Sequence, residues 1–545
     1  MKKYLYPKIY KKIKLNRILG ALRSLFRINY WLLPLSILIT GIFSRLIYLL
    51  YDSYGSSWDD YGFMLNIEKS FFEFIGKHET QLANTVPYWI IYRISGYSFF
   101  GYVVIPVMIS VITTILIYKK IKQYWNSVAV LTFSLFLLAF NNYAIYLTKY
   151  PMVSYGTSFL VTTYFYFLFI GFLDKQSKPK LSYWILLCFL MAFFTIVTTV
   201  IPIVCGITAL FVIKFIKNKK INFINFIKGS STFLLALIIF SLTYAITYTV
   251  HSFNNLGVDK RFDMLPHFYS TSGHEQNIIG AGNFIIQNTE RLFLELFALP
   301  FRDSVTKPLG FILEILFFIG LGKTIFNWKQ SEKDLFTVIY IFLAWFSMLV
   351  GGFIGVYPFG TSRYTAFLLV PCLIIISYGV IIVTSCVSPI FKLLMEKLNV
   401  KLVIISASVS IIIVGAVLDS FLLNQILNHS KLNSKALAVV NSYQGNLILF
   451  SSFINPLLSI KARDIYSSGF DMGWGKYNNL GSDSEVPITL KKKLQEDEGS
   501  KLLIIMESTQ KLESFPQWKK VIEEYYNLEN ENVSPAIKIL VYKKK

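Results

Sequence analysis

Long apolar runs separated by short basic segments set the pattern of this chain. Runs of about 18 residues or more are long enough to cross a bilayer as helices. They place spans at 29–50, 99–118, 127–146, 152–173, 182–198, 200–216, 229–250, 307–324, 335–355, 364–386 and 402–424. The stretch 182–216 is the least clearly divided, because "IVTTVIPIV" offers only threonines and Pro202 as a break. One bent element there would change the count of eleven. Past residue 424 the pattern changes: "GNLILFSS", "KLLIIMES" and "PAIKILVYKKK" read as strands, whereas "VPITLKKKLQEDE" and "FPQWKKVIEEYYN" have the spacing of amphipathic helices. Strand–helix–strand alternation predicts a small α/β domain. The expected fold class is an all-α polytopic membrane protein over 1–424 with a small C-terminal α/β domain over 425–545. The chain shows neither an internal repeat nor a low-complexity tract.

Composition supports the membrane assignment. The 545 residues are 54% hydrophobic and 15% charged, with a mean hydropathy of +0.52, against roughly 45–50% and about 25% in soluble domains. A net charge of +22 raises the question of nucleic acid. The lysines lie between the apolar runs and not in one basic domain, so they read as topology signals and no nucleic-acid partner is expected. The four cysteines, Cys188, Cys205, Cys372 and Cys386, all fall in or beside apolar runs, and no disulfide framework is expected. The basic N-terminus "MKKYLYPKIYKKIKLNR" leads into a run too long for a signal peptide and lacking a small-residue cleavage site, which predicts a retained first span.

Charge also predicts orientation. With eleven spans, the N-terminal segment shares one side with "KKIK" (119–122), "DKQSKPK" (174–180), "KFIKNKK" (214–220), "KTIFNWKQSEKD" (323–334) and "KLLMEKLNVK" (392–401). By the positive-inside rule that side is the cytoplasm. The opposite face receives 51–98, the turn near 147–151, the long loop 251–306, the turn "GVYPFGTSR" (355–363) and the tail. All five histidines, His78, His251, His267, His274 and His429, fall there too.

That outer face carries the candidate chemistry. In "SSWDDYGFMLN" two adjacent acids, Asp59 and Asp60, follow the first span between Trp58 and Tyr61. One of them can cap a surface helix. Two carboxylates beside two rings at the water–lipid boundary also suit a general base or a metal ligand. Lys149 and Tyr150 precede Pro151 in a short turn, where a cation is either a snorkelling boundary residue or a partner for lipid phosphate. In "YPFGTSRYTAFLLVP", Pro358 and Gly360 make a tight turn before Arg363 and Tyr364. Arg363 is either an interfacial anchor or a guanidinium clamp for phosphate, and the patterned turn favours the clamp. In the loop 251–306, His251, Asp263, His267, His274 and Glu275 lack a strong ligand spacing, so surface histidines on an ordered loop are the simpler expectation. Asp59, Asp60, His251 and His267 are the candidate metal ligands. Arg45, inside the first span, is expected to snorkel outward or to face the same cavity.

Together these residues resemble the GT-C superfamily of integral-membrane glycosyltransferases, in the bacterial branch similar to protein O-mannosyltransferases and lipid A aminoarabinose transferases. An acidic motif directly after the first span is matched by Asp59–Asp60, here Asp-Asp where Asp-Glu is common. A Tyr-containing segment entering the fourth span is matched by "LTKYPMVSYG", which lacks the arginine often found there. A late "YPFG..R" turn is matched by Tyr357 to Arg363. The resemblance covers about 1–424. It implies a polyprenyl-phosphate sugar as donor, drawn from the membrane lipid, with an acceptor that is a glycan, a lipid or a protein. Asp59 or Asp60 would then be the base, with Arg363, Lys149, Tyr150 and Tyr364 at the donor phosphate. No cofactor is required, and a divalent cation beside the acids is optional. A transporter or flippase of lipid-linked saccharide is the rival class. Transporters place ionisable groups mid-membrane on broken helices in repeated halves, which is not the pattern seen here. An O-antigen-ligase-like enzyme fits the long outer loop and arginines but not the early carboxylate pair.

Overall fold

The structure is a computed structural model that describes residues 31–47, 99–141, 155–173, 197–218, 267–297, 303–355, 365–395, 406–417, 447–450, 501–507, 516–533 and 537–545, with a few single positions between. Its helices are α1 (Trp31–Leu46), α2 (Phe99–Trp125), α3 (Val128–Phe140), α4 (Tyr155–Leu173), α5 (Val197–Asn218), α6 (Ile278–Leu296), α7 (Asp303–Phe326), α8 (Glu332–Ile354), α9 (Leu369–Met395), α10 (Ser406–Val417) and α11 (Pro516–Tyr525). Among the described residues, five helices are long and apolar enough to cross a membrane, within α2, α4, α7, α8 and α9. The protein is a polytopic helical membrane protein with a small C-terminal sheet. The spans expected at 182–198 and 229–250 lie wholly or largely outside the described residues, so the count of eleven is not decided by them.

Local chemistry explains the helix ends. Ser127 caps α3 by accepting the Val130 amide, and Ser331 caps α8 by accepting the Asp334 amide. Gly355, at φ 75°, ends α8 in the left-handed region, with its N–H on Gly351 O. Helix α2 runs to Trp125, past the span limit expected at 118, and the next residue, Asn126, takes φ 46°. Asparagine tolerates that conformation. Lys122 stays helical with its ammonium 4.4 Å from the Trp31 ring. Helix α5 holds Pro202 within it, so this proline separates no spans. It removes one helical hydrogen bond and the helix continues.

Helix α9 is the centre of the bundle: 72% of its apolar window is buried, against 22% for α7. It packs on α7 and α3, while α2 packs on α4 and α5 lies between α4 and α8. The α7–α9 contact depends on two glycines. A Cβ on Gly320 would run into the Ile375 carbonyl, and one on Gly379 would run into that of Leu316. Such close backbone approach is how membrane helices gain packing contacts that lipid cannot supply. The lipid-facing side of α7 and α8 exposes Phe311, Phe318, Phe342 and Phe346.

At the end of the bundle where α2 finishes and α8 begins, Asp334 Oδ1 accepts from Trp125 Nε1 at 2.9 Å and from Tyr378 Oη at 2.8 Å. Lys333 Nζ donates to Tyr124 O at 2.8 Å. These bonds join α2, α8 and α9 at one level.

Arg45 does not snorkel. It is 1% exposed, with Nε on Ser110 Oγ (2.9 Å), Nη1 on Gly41 O (2.7 Å) and Nη2 on Leu138 O (3.2 Å). The guanidinium ties α1 to α2 and α3, because three donors in a fixed fork can satisfy three acceptors inside an apolar bundle.

The C-terminal sheet has the order β1 (Leu447–Phe450), β2 (Lys501–Glu507), β4 (Ile537–Lys544), β3 (Tyr526–Val533). The β1–β2 pair is parallel and the other two are antiparallel, with Ile504 opposite Leu540. Three strands and α11 match the expected segments. Strand β3, "YNLENENV", is a further one. Its ladder comes from pairing with β4, and its polar edge carries the pairs Lys501–Glu529 (3.0 Å) and Lys538–Glu531 (2.8 Å). Charge along an edge strand discourages pairing with other chains.

Candidate functional site

The loop expected over 251–306 contains the 19-residue helix α6. Asn277 caps it by accepting the Gly280 amide at 2.7 Å. Phe284, Asn288, Leu292 and Leu296 recur every four residues and are all buried, the stripe of a helix that packs along one side. The helix is inserted against the spans. Phe284 meets Phe353 at the end of α8 with ring centroids 5.4 Å apart. Thr289 Oγ1 accepts from Trp345 Nε1 at 3.1 Å, nine residues before the end of α8, or about 14 Å along its axis. Farther on, Phe293 and Phe297 stack near Phe317 of α7. Asn141, just past α3, donates Nδ2 to Leu296 O at 2.6 Å.

Past α8, Tyr357, Phe359 and Gly360 of the "YPFG" segment fold back over the last turn of that helix. Tyr357 N–H donates to Gly351 O at 3.1 Å. A Cβ on Gly351 would lie 2.6 Å from Tyr357 Cβ, and one on Gly352 would lie 2.8 Å from Phe359 Cβ. Only the glycine pair lets the turn approach so closely. On the other side, Gly360 adopts φ 85° against α6, where a Cβ would lie 2.6 Å from Asn288 O. Tyr357 and Phe359 are both buried.

His267 closes the third side. It is 8% exposed, not the surface histidine expected. Its Nδ1 lies 2.9 Å from Phe359 O, and its own carbonyl accepts the Phe359 amide at 3.0 Å. A carbonyl only accepts, so Nδ1 carries the proton. Beyond it, Tyr269 Oη donates to Glu275 O at 2.7 Å, and its ring lies 4.8 Å from that of Phe353. His274 meets the Phe284 ring edge-on. The Glu275 carboxylate accepts from Asn277 Nδ2 at 2.7 Å.

Of the expected site residues, Asp59, Asp60, Lys149, Tyr150, Arg363, Tyr364, His251 and Asp263 lie outside the described residues. His267, His274 and Glu275 lie in the described stretch ahead of α6, but no group of three or more potential metal ligands forms among the described residues. His267 therefore enters the site through its hydrogen bonds to the turn. Sequence reading missed α6, Asn288 and the glycine pair. The signal was present as an asparagine cap followed by buried positions at four-residue spacing, in a segment too polar to count as a span.

No protein-family profile matches the chain, and no curated protein matches it. Among solved structures, it resembles ArnT from Cupriavidus metallidurans bound to undecaprenyl phosphate, at 9% identity and a TM-score of 0.55, over 93% of this chain and 97% of that one. ArnT from the same organism in the apo state matches with a TM-score of 0.45 at 9% identity, over 96% and 98%. The second superposition is too loose to argue from. The first spans nearly the whole of both chains. It establishes that this protein has the fold seen in that ArnT structure.

Proposed function

We propose that this protein is a membrane glycosyltransferase that moves a sugar from a polyprenyl-phosphate donor to an acceptor hydroxyl at the outer face of the membrane. The observation that carries the reading is the ArnT fold along the whole chain, since that neighbour was solved with undecaprenyl phosphate bound. The pinned turn leading to Arg363 supports it. A donor with its lipid in the bilayer presents phosphate and sugar at the interface, and the reaction then needs a base and a phosphate stabiliser.

In this reading Asp59 or Asp60 takes the proton from the acceptor hydroxyl. The oxygen attacks the anomeric carbon in line and inverts it, and the polyprenyl phosphate departs. Arg363 and Lys149 stabilise the charge growing on that phosphate, with Tyr150 and Tyr364 beside it. A divalent cation next to Asp59–Asp60 is compatible with the chemistry but not needed. Residues 1–424 form the catalytic membrane part and 425–545 an extracytoplasmic domain, with the N-terminus in the cytoplasm. The positive-inside pattern supports that orientation.

The test is transfer from labelled polyprenyl-phosphate sugars in membranes, comparing wild type with Asp59→Asn, Asp60→Asn and Arg363→Ala. Loss of transfer in the Asp variants is expected. Full transfer by the double Asp→Asn variant overturns the catalytic assignment, and export of lipid-linked saccharide without transfer identifies a flippase instead.

A further inference from the structure

We infer that the end of the bundle where α2 finishes and α8 begins carries a binding surface for phospholipids of net negative charge, whatever reaction the opposite end performs. Its cations are Lys120 of α2, Lys323 of α7 and Lys333 of α8. The described residues of that end, 119–125 and 323–334, hold six lysines against two carboxylates, Glu332 and Asp334. Lys120 Nζ lies 5.4 Å from the centroid of the Tyr124 ring and 3.3 Å from Gln123 Oε1. Lys333 Nζ lies 5.6 Å from the same ring and donates to Tyr124 O at 2.8 Å. Lys323 Nζ lies 5.4 Å from the centroid of the Tyr378 ring. The described partners of Lys120 and Lys323 are thus neutral groups, and a ring face orients an ammonium without cancelling its charge.

Asp334 organises the rings beneath these cations. Its Oδ1 accepts from Trp125 Nε1 and from Tyr378 Oη, both neutral donors. The Tyr378 ring under Lys323 is therefore tied to α8, and Trp125, next to Tyr124 in the chain, is tied to the same oxygen. An ammonium carries three donors, and Lys120 directs one of them to Gln123. The others suit phosphate oxygens, because lysine meets phosphate as a point charge and needs no fixed two-pronged geometry.

Two features select a membrane lipid over a soluble anion. Ile325 and Phe326, in the last turn of α7 with Lys323, are 49% and 88% exposed. That turn offers an acyl chain an apolar wall and its headgroup an ammonium. Tyr124, Trp125 and Tyr378 gather at one level of the bundle, and rings of this kind sit at headgroup depth in a bilayer. A lysine near an anionic membrane surface contributes about fivefold in binding. Lys122 and Lys329 provide the comparison, since they share this end but lie over other rings, Trp31 and Tyr118 for the first and Trp328 for the second.

The experiment titrates the full-length protein in neutral detergent with phosphatidylglycerol and, separately, with zwitterionic phosphatidylcholine, and counts bound lipid by native mass spectrometry. Wild type is expected to bind phosphatidylglycerol about tenfold more tightly than phosphatidylcholine, a preference that fades as salt is raised. Lys120→Gln with Lys323→Gln is expected to weaken phosphatidylglycerol about twentyfold and to leave phosphatidylcholine unchanged. Lys120→Arg with Lys323→Arg keeps both charges and is expected to stay within about threefold of wild type. Lys122→Gln with Lys329→Gln removes the same charge from the same end and is also expected to stay within about threefold. Equal binding of the two lipids by wild type overturns the inference. Equal weakening by the two glutamine pairs overturns it as well, because diffuse attraction to a basic end then accounts for the binding. Displacement of phosphatidylglycerol by inorganic phosphate at constant ionic strength shows a site for soluble anions and overturns the choice of a lipid. If the first glutamine pair fails to fold, Lys323→Gln is compared with Lys329→Gln, and equal binding by those two overturns the inference in the same way.

Discussion

Gly360→Ala is the sharpest single perturbation of the turn. Two terms act in the same direction. At φ 85° a residue with a Cβ costs about 1–2 kcal/mol more than glycine. The new methyl would also lie 2.6 Å from Asn288 O and 2.8 Å from Asn288 Cβ, where carbon–carbon contacts settle near 3.5–4.0 Å. Asn288 cannot rotate away, because the nearest atom is the carbonyl of a helical backbone and its side-chain Nδ2 is bonded to Phe284 O at 3.1 Å. Either α6 or the turn must move by roughly 0.7 Å. Overpacking of this kind costs about 1–3 kcal/mol. Alanine also restricts the unfolded chain, which returns about 0.4–1 kcal/mol. The net expectation is a loss of about 2–4 kcal/mol.

Gly282→Ala is the matched control. It is a glycine in the same helix, α6, with nothing within 4 Å of its added Cβ. There alanine gains about 0.5–1 kcal/mol through helix propensity. The two substitutions are chemically identical and opposite in expected sign. Thermal midpoints of the purified full-length protein in one detergent check them, with Gly360→Ala falling by several degrees and Gly282→Ala level or higher. Equal midpoints would refute the close approach of the turn to α6 and with it the pinned geometry of the "YPFG" segment.

Three further outcomes follow from other contacts. Arg45→Met removes three donors from a buried position and takes a partner from acceptors on α1, α2 and α3, a loss of about 1–3 kcal/mol; Arg45→Lys recovers little of the lost thermal midpoint, since one ammonium lacks the fork. Asp334→Ala removes the acceptor shared by Trp125 and Tyr378 and lowers the midpoint by the equivalent of about 2–4 kcal/mol, whereas Asp334→Asn keeps an oxygen and loses less. Gly320→Leu forces α7 off the Ile375 carbonyl and is expected to abolish folded protein in membrane fractions, as read by detergent-resistant monodispersity.

What the sequence made legible depended on how strongly one physical signal dominated each segment. The span expected at 335–355 matches α8 (Glu332–Ile354) because an apolar run, a serine cap and a terminal glycine agree there. Helix α6 was hidden because it is neither apolar enough to be a span nor exposed enough to be a surface helix. Its polar residue Thr289 accepts from Trp345 and Asn288 lies against Gly360, contacts whose partners lie more than 50 residues away. Strand β3 was hidden for a related reason. Its Glu and Asn residues suit an edge whose backbone is satisfied by β4, and pairing of that kind leaves little trace in local composition. The first-loop acids and the Arg363 segment stood out in the sequence as chemistry. The histidine that holds the turn stood out only as a candidate metal ligand, because a hydrogen bond to a backbone carbonyl needs one donor and one distance, and sequence spacing records neither.

The two ends of the bundle are built by different means. Where α2 ends and α8 begins, polar side chains do the joining: Asp334 binds Trp125 and Tyr378, Lys333 binds Tyr124 O, and Lys122 lies over Trp31. Side-chain contacts of this sort are spread over several helices and tolerate small shifts, because lysine stems and aromatic rings can adjust. Where α8 ends, the joining is by backbone: Gly351 and Gly352 against the turn, Gly360 against Asn288, and His267 against both polar groups of Phe359. Approach so close that an added Cβ would come within 3 Å of its neighbours leaves little slack at that end. Under the proposed glycosyltransferase reading a phosphate and an attacking hydroxyl have to be placed in line, and rigidity of this kind would serve that. A transporter that alternates access would need the freedom to break it. The placing of Gly351, Gly352, Gly360 and buried His267 at the end of α8 therefore favours fixed positioning over movement there.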